Sequence, residues 1–472
     1  MIKGRSGGLK SYSVTCQTEV DVDVTKIRHK KKAQIKGRGP GPRAVRFMKE
    51  VRIGILGGGT VGGGLIDLIA QQRSVLERRI GVQLRIVAVA DRSWQKKAHL
   101  QNQDFDVTDD PQGVIARNDI DIIVELVGGL EPARQWVLSA LESGKSVVTA
   151  NKALLANHGA EIFELARAKN CGIGFEAAVA GALPVIRNMR RVWVGSDIHE
   201  MFGILNGTCN FIITRMQKEG MPYEEALQIA QEKGFAEADP TFDVSGRDAA
   251  QKLAILSSLA FDHLVQEKDI KVEGITELSP LDHAMALRMG RVIRLLAVAR
   301  KDGDGYLLRV HPALIAQDHL LASVEEENNA LFTDDKYSGS TMIVGRGAGA
   351  FPTASAVLGD IAALARPASS PEVWLSSGKA VRASEDALYR FYLRFRTVDQ
   401  AGVLASIAHE LAVQEISIAS MHQEEGPEPV DVVILTHDAR ESQLEKALTR
   451  INSLDIVHGP SVALRLEEPG RH

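Results

Sequence analysis

Apolar positions along this 472-residue chain change their period more than once, and each change predicts a different architecture. In "VRIGILGGGTVGGGLIDLIAQQ" a short β-rich run at 51–56 passes through glycines into a helical pattern. Strand-like "LRIVAVAD", the buried run in "IDIIVELVGG", helical "EPARQWVLSALESG", strand "SVVT" and helical "ANKALLANHGAEIFELARAKN" follow. Strand alternating with helix at this spacing predicts βα units on a parallel sheet. After residue 171 the rhythm breaks. A strand enters an Ala/Gly-rich turn at 177–182, then come a helix, a long strand from Ile198, and "NGTCNF" opening another helix. That mixture predicts an α+β domain. Beyond the Pro/Ser/Gly-containing "RPASSPEVWLSSGKAVRASEDAL", a linker by composition, the pattern reads strand, helix, strand, strand, helix, strand.

The first turn carries candidate chemistry. Gly57, Gly59 and Gly62 stand as G-x-G-x-x-G between a strand and a helix, the context that a dinucleotide fingerprint of the Rossmann type requires. Gly57 permits the tight turn, Gly59 lets backbone approach a pyrophosphate, and Gly62 lets helix pack on strand. The N–H groups near Thr60 and Val61 would face the phosphates. Asp91 closes the second strand, where an acid can hydrogen-bond ribose hydroxyls and favour NAD. Arg92, Lys96 and Lys97 follow and could instead hold a 2′-phosphate, so NAD and NADP both stay open.

Composition adds exclusions. A hydrophobic share of 44% with 25% charged residues suits an ordinary globular protein, and a net charge of −4 gives no reason to expect nucleic acid. Cys16, Cys171 and Cys209 are too few and scattered for a disulfide framework or zinc site, which fits a reducing cytoplasm. No apolar run approaches the roughly 18 residues a membrane span needs. Residues 1–47 differ, with 12 basic against 3 acidic residues and no sustained period, and read as a disordered basic extension. They could be a nucleic-acid arm or a targeting segment. Because Met48 directly precedes the first strand, the start could also have been assigned too far upstream.

"GFAEADPTFDVSGRDAAQKL" sets Glu237, Asp239, Asp243 and Asp248 around Lys252. Asp248 and Lys252 are four apart and share a helix face, which alone describes an ordinary surface ion pair. Lys152 follows the strand "SVVT", at the carboxyl end where open sheets place ligands, or else simply starts a solvated helix. Cys209 would be a nucleophile only with a base or positive field nearby, and no histidine is near it in sequence.

Taken together, "TANKALLA", "NGTCNFI", "GFAEADPTFDVSGRDAAQKLAIL" and "GRGAGAFPTASAVLGDI" closely resemble homoserine dehydrogenase over about residues 51–360. The resemblance implies NAD- or NADP-dependent interconversion of L-homoserine and L-aspartate 4-semialdehyde, in threonine, methionine and isoleucine biosynthesis. It makes Lys252 the proton-transferring lysine and Lys152 a second lysine at the cofactor–substrate junction. Glu237 and Asp248 become substrate-binding acids, Asp243 an auxiliary acid, and Gly234 and Gly347 glycines that approach the cofactor. It also implies a structural sodium ion on the backbone carbonyls of Glu176, Val179, Gly181 and Leu183.

The residues are compatible with these roles. Taking hydride from a carbinol carbon requires the hydroxyl proton to leave, so a positioned base is needed. A neutral lysine can serve, and a neighbouring carboxylate opposes that form unless it is engaged elsewhere, for example by the substrate's ammonium.

The last segment, with Gly402 at a strand–helix turn, resembles an ACT domain. That implies feedback control, most naturally by threonine, although such a module can also serve only to oligomerise. The expected organisation is 1–47 extension, 48–180 dinucleotide-binding domain with return segment 341–366, 181–340 catalytic domain, 367–388 linker and 389–472 regulatory domain. A homo-oligomer, dimer or tetramer, is expected. Two rivals stay open: a non-catalytic amino-acid and nucleotide sensor on a degenerate dehydrogenase fold, and a phosphorylating aldehyde dehydrogenase using Cys209.

Overall fold

A computed structural model describes residues 49–366 except 102, and 386–470 except 425 and 427. The basic extension and nearly all of the linker therefore lie outside the described residues. Six parallel strands form the first sheet, in the order Asp106–Thr108, Gln83–Ala90, Glu50–Leu56, Ile122–Glu125, Ser146–Thr149, Ile173–Gly174. In chain order this is 3-2-1-4-5-6, the doubly wound arrangement with its switch point between the first and fourth strands. Successive side chains leave opposite faces of a strand, and the burial follows that rule. Ile53, Ile55, Ile122 and Val124 share a core with helices Thr60–Ile80 and Ala350–Ala365. Ile123 and Val147 join the other core, with helices Ala133–Glu142 and Lys152–Lys169.

The second sheet is long and mostly antiparallel. Its order is Gly339–Arg346, Asn328–Asp335, Ile198–Ile204, Arg291–Asp302, Gly305–Ala316, Val462–Leu466, Phe391–Thr397, Val430–Thr436, Ile418–Gln423, with Lys271–Val272 also pairing with Gly305–Ala316. Helices Gly207–Glu219 and Arg247–Phe261 pack on it.

One expected boundary changes. Strand Gly339–Arg346 belongs to the second sheet, so the chain returns to the first domain only after Arg346, through 347–349 into helix Ala350–Ala365, and not from 341. The C-terminal βαββαβ segment is present, but its sheet is continuous with the catalytic one. Val462–Leu466 pairs parallel with Gly305–Ala316 at Ala313↔Arg465 and Leu314↔Leu466. The signal for this was weak because strand periodicity reports burial, not which edge a strand joins. Leu307 packs in the C-terminal core, while Tyr392, Val433, Val462 and Leu464 pack into the catalytic core.

Helix Pro280–Arg288 ties the two regions together. Its Asp282 accepts hydrogen bonds from the Tyr392 hydroxyl (2.9 Å) and Arg394 Nε (2.8 Å), and it also closes a capping box with Ser279. The neighbouring His283 is buried, and neither ring nitrogen has a hydrogen-bond partner. Burial pushes its imidazole down to about 4, with Asp282 opposing and Arg294 assisting. Unfolding therefore takes up a proton between pH 4 and 6.5, so this residue's contribution is complete above 6.5 and is lost as pH falls towards 4. His283→Leu should flatten the stability profile in that window by at most about 3 kcal/mol, read from unfolding midpoints at a series of pH values.

Candidate active site

At the switch point the glycine turn has the geometry a pyrophosphate needs. Gly57 adopts φ +104°, and a Cβ on Gly62 would lie 2.2 Å from the Gly57 carbonyl oxygen. A Cβ on Gly59 would meet nothing within 4 Å, so this backbone borders open space at the start of helix Thr60–Ile80, beside Thr60 and Val61. The residues fit a dinucleotide. Asp91 already accepts from Gly58 N–H (2.9 Å), Ser93 N–H (2.8 Å) and Lys97 Nζ (2.5 Å). Burial pushes its carboxyl up, but Lys97 and the N–H donors outweigh this and hold it below the usual range. Lys97 thus stands against the acid, while Arg92 and Lys96 are exposed.

Lys152 and Lys252 come from different domains and meet at one carboxylate. Asn151 caps helix Lys152–Lys169 by accepting from Leu154 N–H and anchors its own amide on the Gly129 carbonyl (2.7 Å). That fixes Lys152 at the first helical position. Lys252 lies in helix Arg247–Phe261, one turn after Asp248. Lys252 Nζ donates to Asp248 Oδ2 (2.7 Å) and to the Leu205 carbonyl (2.6 Å), and Lys152 Nζ lies 3.3 Å from Asp248 Oδ1. Burial alone would push Asp248 up, yet Lys252 and Lys152 hold it below the ordinary carboxylate value. Asp243 goes the other way, raised by burial and by the charge of Asp248.

Asn206 bridges the two acids. Its Nδ2 donates to Asp243 Oδ1 and Asp248 Oδ2, both at 2.8 Å, while its oxygen caps helix Gly207–Glu219 at Cys209 N–H. The reading of the sequence missed this role. Asn directly before a helix was the available signal, and it pointed only to a cap. Also missed was buried Glu125 at a strand end, which accepts from Val127 N–H (2.8 Å), Gly128 N–H (3.0 Å) and the Thr149 hydroxyl (2.6 Å) and so shapes the loop beside Lys152.

Other expected residues stand apart from this cluster. Glu237 is exposed, and its backbone carbonyl accepts from Gln231 Nε2 (3.1 Å). Gly234 ends the preceding helical turn at φ +74°. Gly347 and Gly181 lie together at the domain crossing. A Cβ on Gly181 would fall 2.3 Å from the Gly347 carbonyl oxygen, and one on Gly347 would strike the Asn329 amide at 2.2 Å. Ala180 and Gly181 are both left-handed, so the 176–183 turn is tight. Its Glu176 carbonyl accepts from Val179 N–H (3.3 Å) and its Leu183 carbonyl from Val185 N–H (2.8 Å). Two of the four carbonyls expected to hold sodium thus already accept backbone hydrogen bonds.

The comparisons with known proteins decide the family. Residues 57–176 match the model described as homoserine dehydrogenase, NAD binding domain, residues 184–362 that of homoserine dehydrogenase, and 391–455 that of the ACT domain. The homoserine dehydrogenase of Neisseria gonorrhoeae is 40% identical over 432 residues, 89% of this chain and 99% of its own. The chain belongs to the homoserine dehydrogenase family. It is an oxidoreductase, with a nucleotide-binding domain, a catalytic domain and an ACT domain. A crystal structure of a homoserine dehydrogenase from Thiobacillus denitrificans is 40% identical and covers 89% of this chain and 99% of its own, with TM-score 0.83. A hyperthermophilic archaeal homoserine dehydrogenase in complex with NADPH is 30% identical, covering 67% of this chain and 99% of its own, with TM-score 0.58.

Neither rival gains from this. The likeness spans both domains that carry the lysines and gives no support to a non-catalytic sensor. Among the described residues, no helix is long and apolar enough to cross a membrane. Cys209 is fully buried and donates to the Asp243 carbonyl (3.2 Å). Burial pushes its thiol well up, and Asp243 and Asp248 push it further. A thiolate nucleophile needs the reverse. Cys209→Ser, which keeps the donor, should hold kcat within about threefold, whereas loss of a nucleophile would cost several orders of magnitude. Steady-state homoserine oxidation decides between them.

Proposed function

We propose that Lys252 exchanges the substrate hydroxyl proton, with Asp248 as the shared anchor of both lysines. The observation that carries this reading is that one buried carboxylate lies within 3.3 Å of Lys152 Nζ and 2.7 Å of Lys252 Nζ. In the oxidative direction, the C4 hydroxyl proton of L-homoserine passes to neutral Lys252 Nζ as the C4 hydrogen leaves as hydride. A bound nicotinamide supplies the hydride acceptor. In reverse, the Lys252 ammonium protonates the carbonyl oxygen of L-aspartate 4-semialdehyde. The substrate's ammonium engages Asp248 and Glu237, which draws Asp248 charge away from Lys252, and Asp243 assists as an auxiliary acid held by Asn206. Lys152 stands where cofactor and substrate meet.

Gly57, Gly59, Thr60, Val61 and Gly62 hold the pyrophosphate, and Gly234 and Gly347 give the cofactor close backbone approach. Asp91 serves the ribose of NAD, while Lys97 beside it, with Arg92 and Lys96, can serve a 2′-phosphate. The NADPH in the archaeal relative favours considering both nucleotides. Sodium is assigned to the carbonyls of Glu176, Val179, Gly181 and Leu183. The ACT domain supports feedback by threonine, in a homo-oligomer acting in threonine, methionine and isoleucine biosynthesis in the cytoplasm. The functional ranges are those expected from the sequence, with the return to the nucleotide domain moved to 347–366.

The test is homoserine-dependent reduction of NAD and of NADP, each with and without threonine. Lys252→Ala should lower kcat roughly 10²- to 10⁴-fold, the usual contribution of a positioned acid–base group, while leaving nucleotide affinity unchanged. Glu237→Ala should act substantially through KM. Near wild-type turnover in Lys252→Ala would transfer the proton role to Lys152.

A further inference from the structure

The last strand of the ACT domain is tied to Glu273 of the catalytic domain through a buried guanidinium. Arg465, in strand Val462–Leu466, is buried and makes a bidentate pair with Glu273, Nη1 to Oε2 at 2.8 Å and Nη2 to Oε1 at 2.6 Å. Its Nη2 also donates to Glu441, whose other contact is Arg309 at 2.5 Å. Burial pushes the Glu441 carboxyl up, but Arg465 and Arg309 outweigh it and hold it at about 2. Glu441 begins helix Glu441–Ile451 of the ACT domain, so Arg465 is pinned from that side and grips Glu273 on the other.

Glu273 leads directly to the active site. Its N–H donates to the Val310 carbonyl (2.7 Å), which fixes it beside strand Gly305–Ala316, and Ile275 N–H donates to the Val244 carbonyl (2.9 Å). Between them, Gly274 passes so close that a Cβ would lie 2.5 Å from the Val244 carbonyl oxygen. Gly246, at φ +85°, borders the same strip, since its Cβ would fall 3.0 Å from Val272 Cγ1 and 3.2 Å from the Glu273 carbonyl oxygen. Val244 follows Asp243, and Gly246 caps the helix carrying Asp248 and Lys252. The strip 273–275 thus lies backbone against backbone on the turn that separates the two acids. Such packing transmits a displacement and does not absorb it.

We infer that the Arg465–Glu273 pair is a positioning contact, through which the ACT domain sets the spacing of Asp243 and Asp248 and so the affinity for the amino-acid substrate. Neither residue touches substrate. The inference rests on the reading of Asp243 and Asp248 as substrate-side acids. A nucleotide readout separates it from general loosening, because the glycine turn at 57–62 follows a strand of the other sheet.

The experiment compares full-length wild type with Glu273→Gln, Arg465→Gln, the double variant and Asp248→Asn, measuring kcat and KM for homoserine and for the nucleotide. Glu273→Gln should raise KM for homoserine about 10-fold, within the range of usual site-to-site coupling, with nucleotide KM within about twofold. The double variant should be no worse than the worse single variant, because both break one contact. An unchanged homoserine KM in Glu273→Gln, or an equal rise for both substrates, overturns the inference. Arg465→Gln leaves Glu441 facing Arg309 alone; if it fails to fold, Glu273→Gln, which keeps the Arg465–Glu441 pair, decides by itself. Asp248→Asn separates the two readings. If it too leaves homoserine KM unchanged, the assignment of the acids has failed, and if it raises KM while Glu273→Gln does not, only the positioning contact has failed.

Discussion

The buried carboxylate of Asp248 is the constraint on which the site depends. A lone carboxylate at that depth would be costly in its charged form, and its stability there comes from cations and donors on every side. Lys252 arrives from the same helix, Lys152 from the nucleotide domain, and Asn206 from the start of a third helix. Removing Asp248 would leave two lysines without their shared counter-charge, and removing Asn206 would take a donor from both acids. Asp248 thereby joins a lysine of the nucleotide-binding domain to one of the catalytic domain. Asn206 has a further effect: by donating to both Asp243 and Asp248 it keeps two acids adjacent that would otherwise repel. They respond in opposite directions, Asp243 upward through burial and the charge of Asp248, and Asp248 downward through Lys252 and Lys152, so the two carboxyls are not equivalent.

The sequence revealed local features well and junctions poorly. Period and glycine spacing identified the first sheet, because a strand buried on both faces and a turn requiring positive φ at Gly57 leave direct traces in residue type. The i,i+4 spacing of Asp248 and Lys252 likewise placed both on one helix face. Lys152 was legible only as a lysine at a strand end; its approach to Asp248 spans 96 positions and depends on how two domains close. Asn206 and Glu125 were missed because their work is done by hydrogen bonds to backbone and to distant acids, and a single Asn or Glu carries no periodic signal. Glu237, assigned by family likeness, stands exposed, while Asp243 is half-buried and Asp248 buried.

The junction of the catalytic and ACT domains shows the same limit from the energetic side. The ladder between Gly305–Ala316 and Val462–Leu466 is short, two residue pairs extended by Glu467 N–H donating to the Leu314 carbonyl (3.0 Å). Arg465, Arg309, Glu441 and Glu273 lie across that seam, as do Glu467 and His311 at 3.4 Å. Ion pairs buried on both sides, as Arg309–Glu441 and Arg465–Glu441 are, add little net stability over apolar packing, but a mispaired arrangement leaves charges uncompensated at a cost of several kcal/mol. They therefore select one alignment of the two halves of this sheet. Because strip 273–275 belongs both to this alignment and to the wall of the turn 243–246, the seam and the substrate site cannot adjust independently. A ligand that shifts the ACT strands acts on the substrate acids only to the extent that it favours one alignment over another.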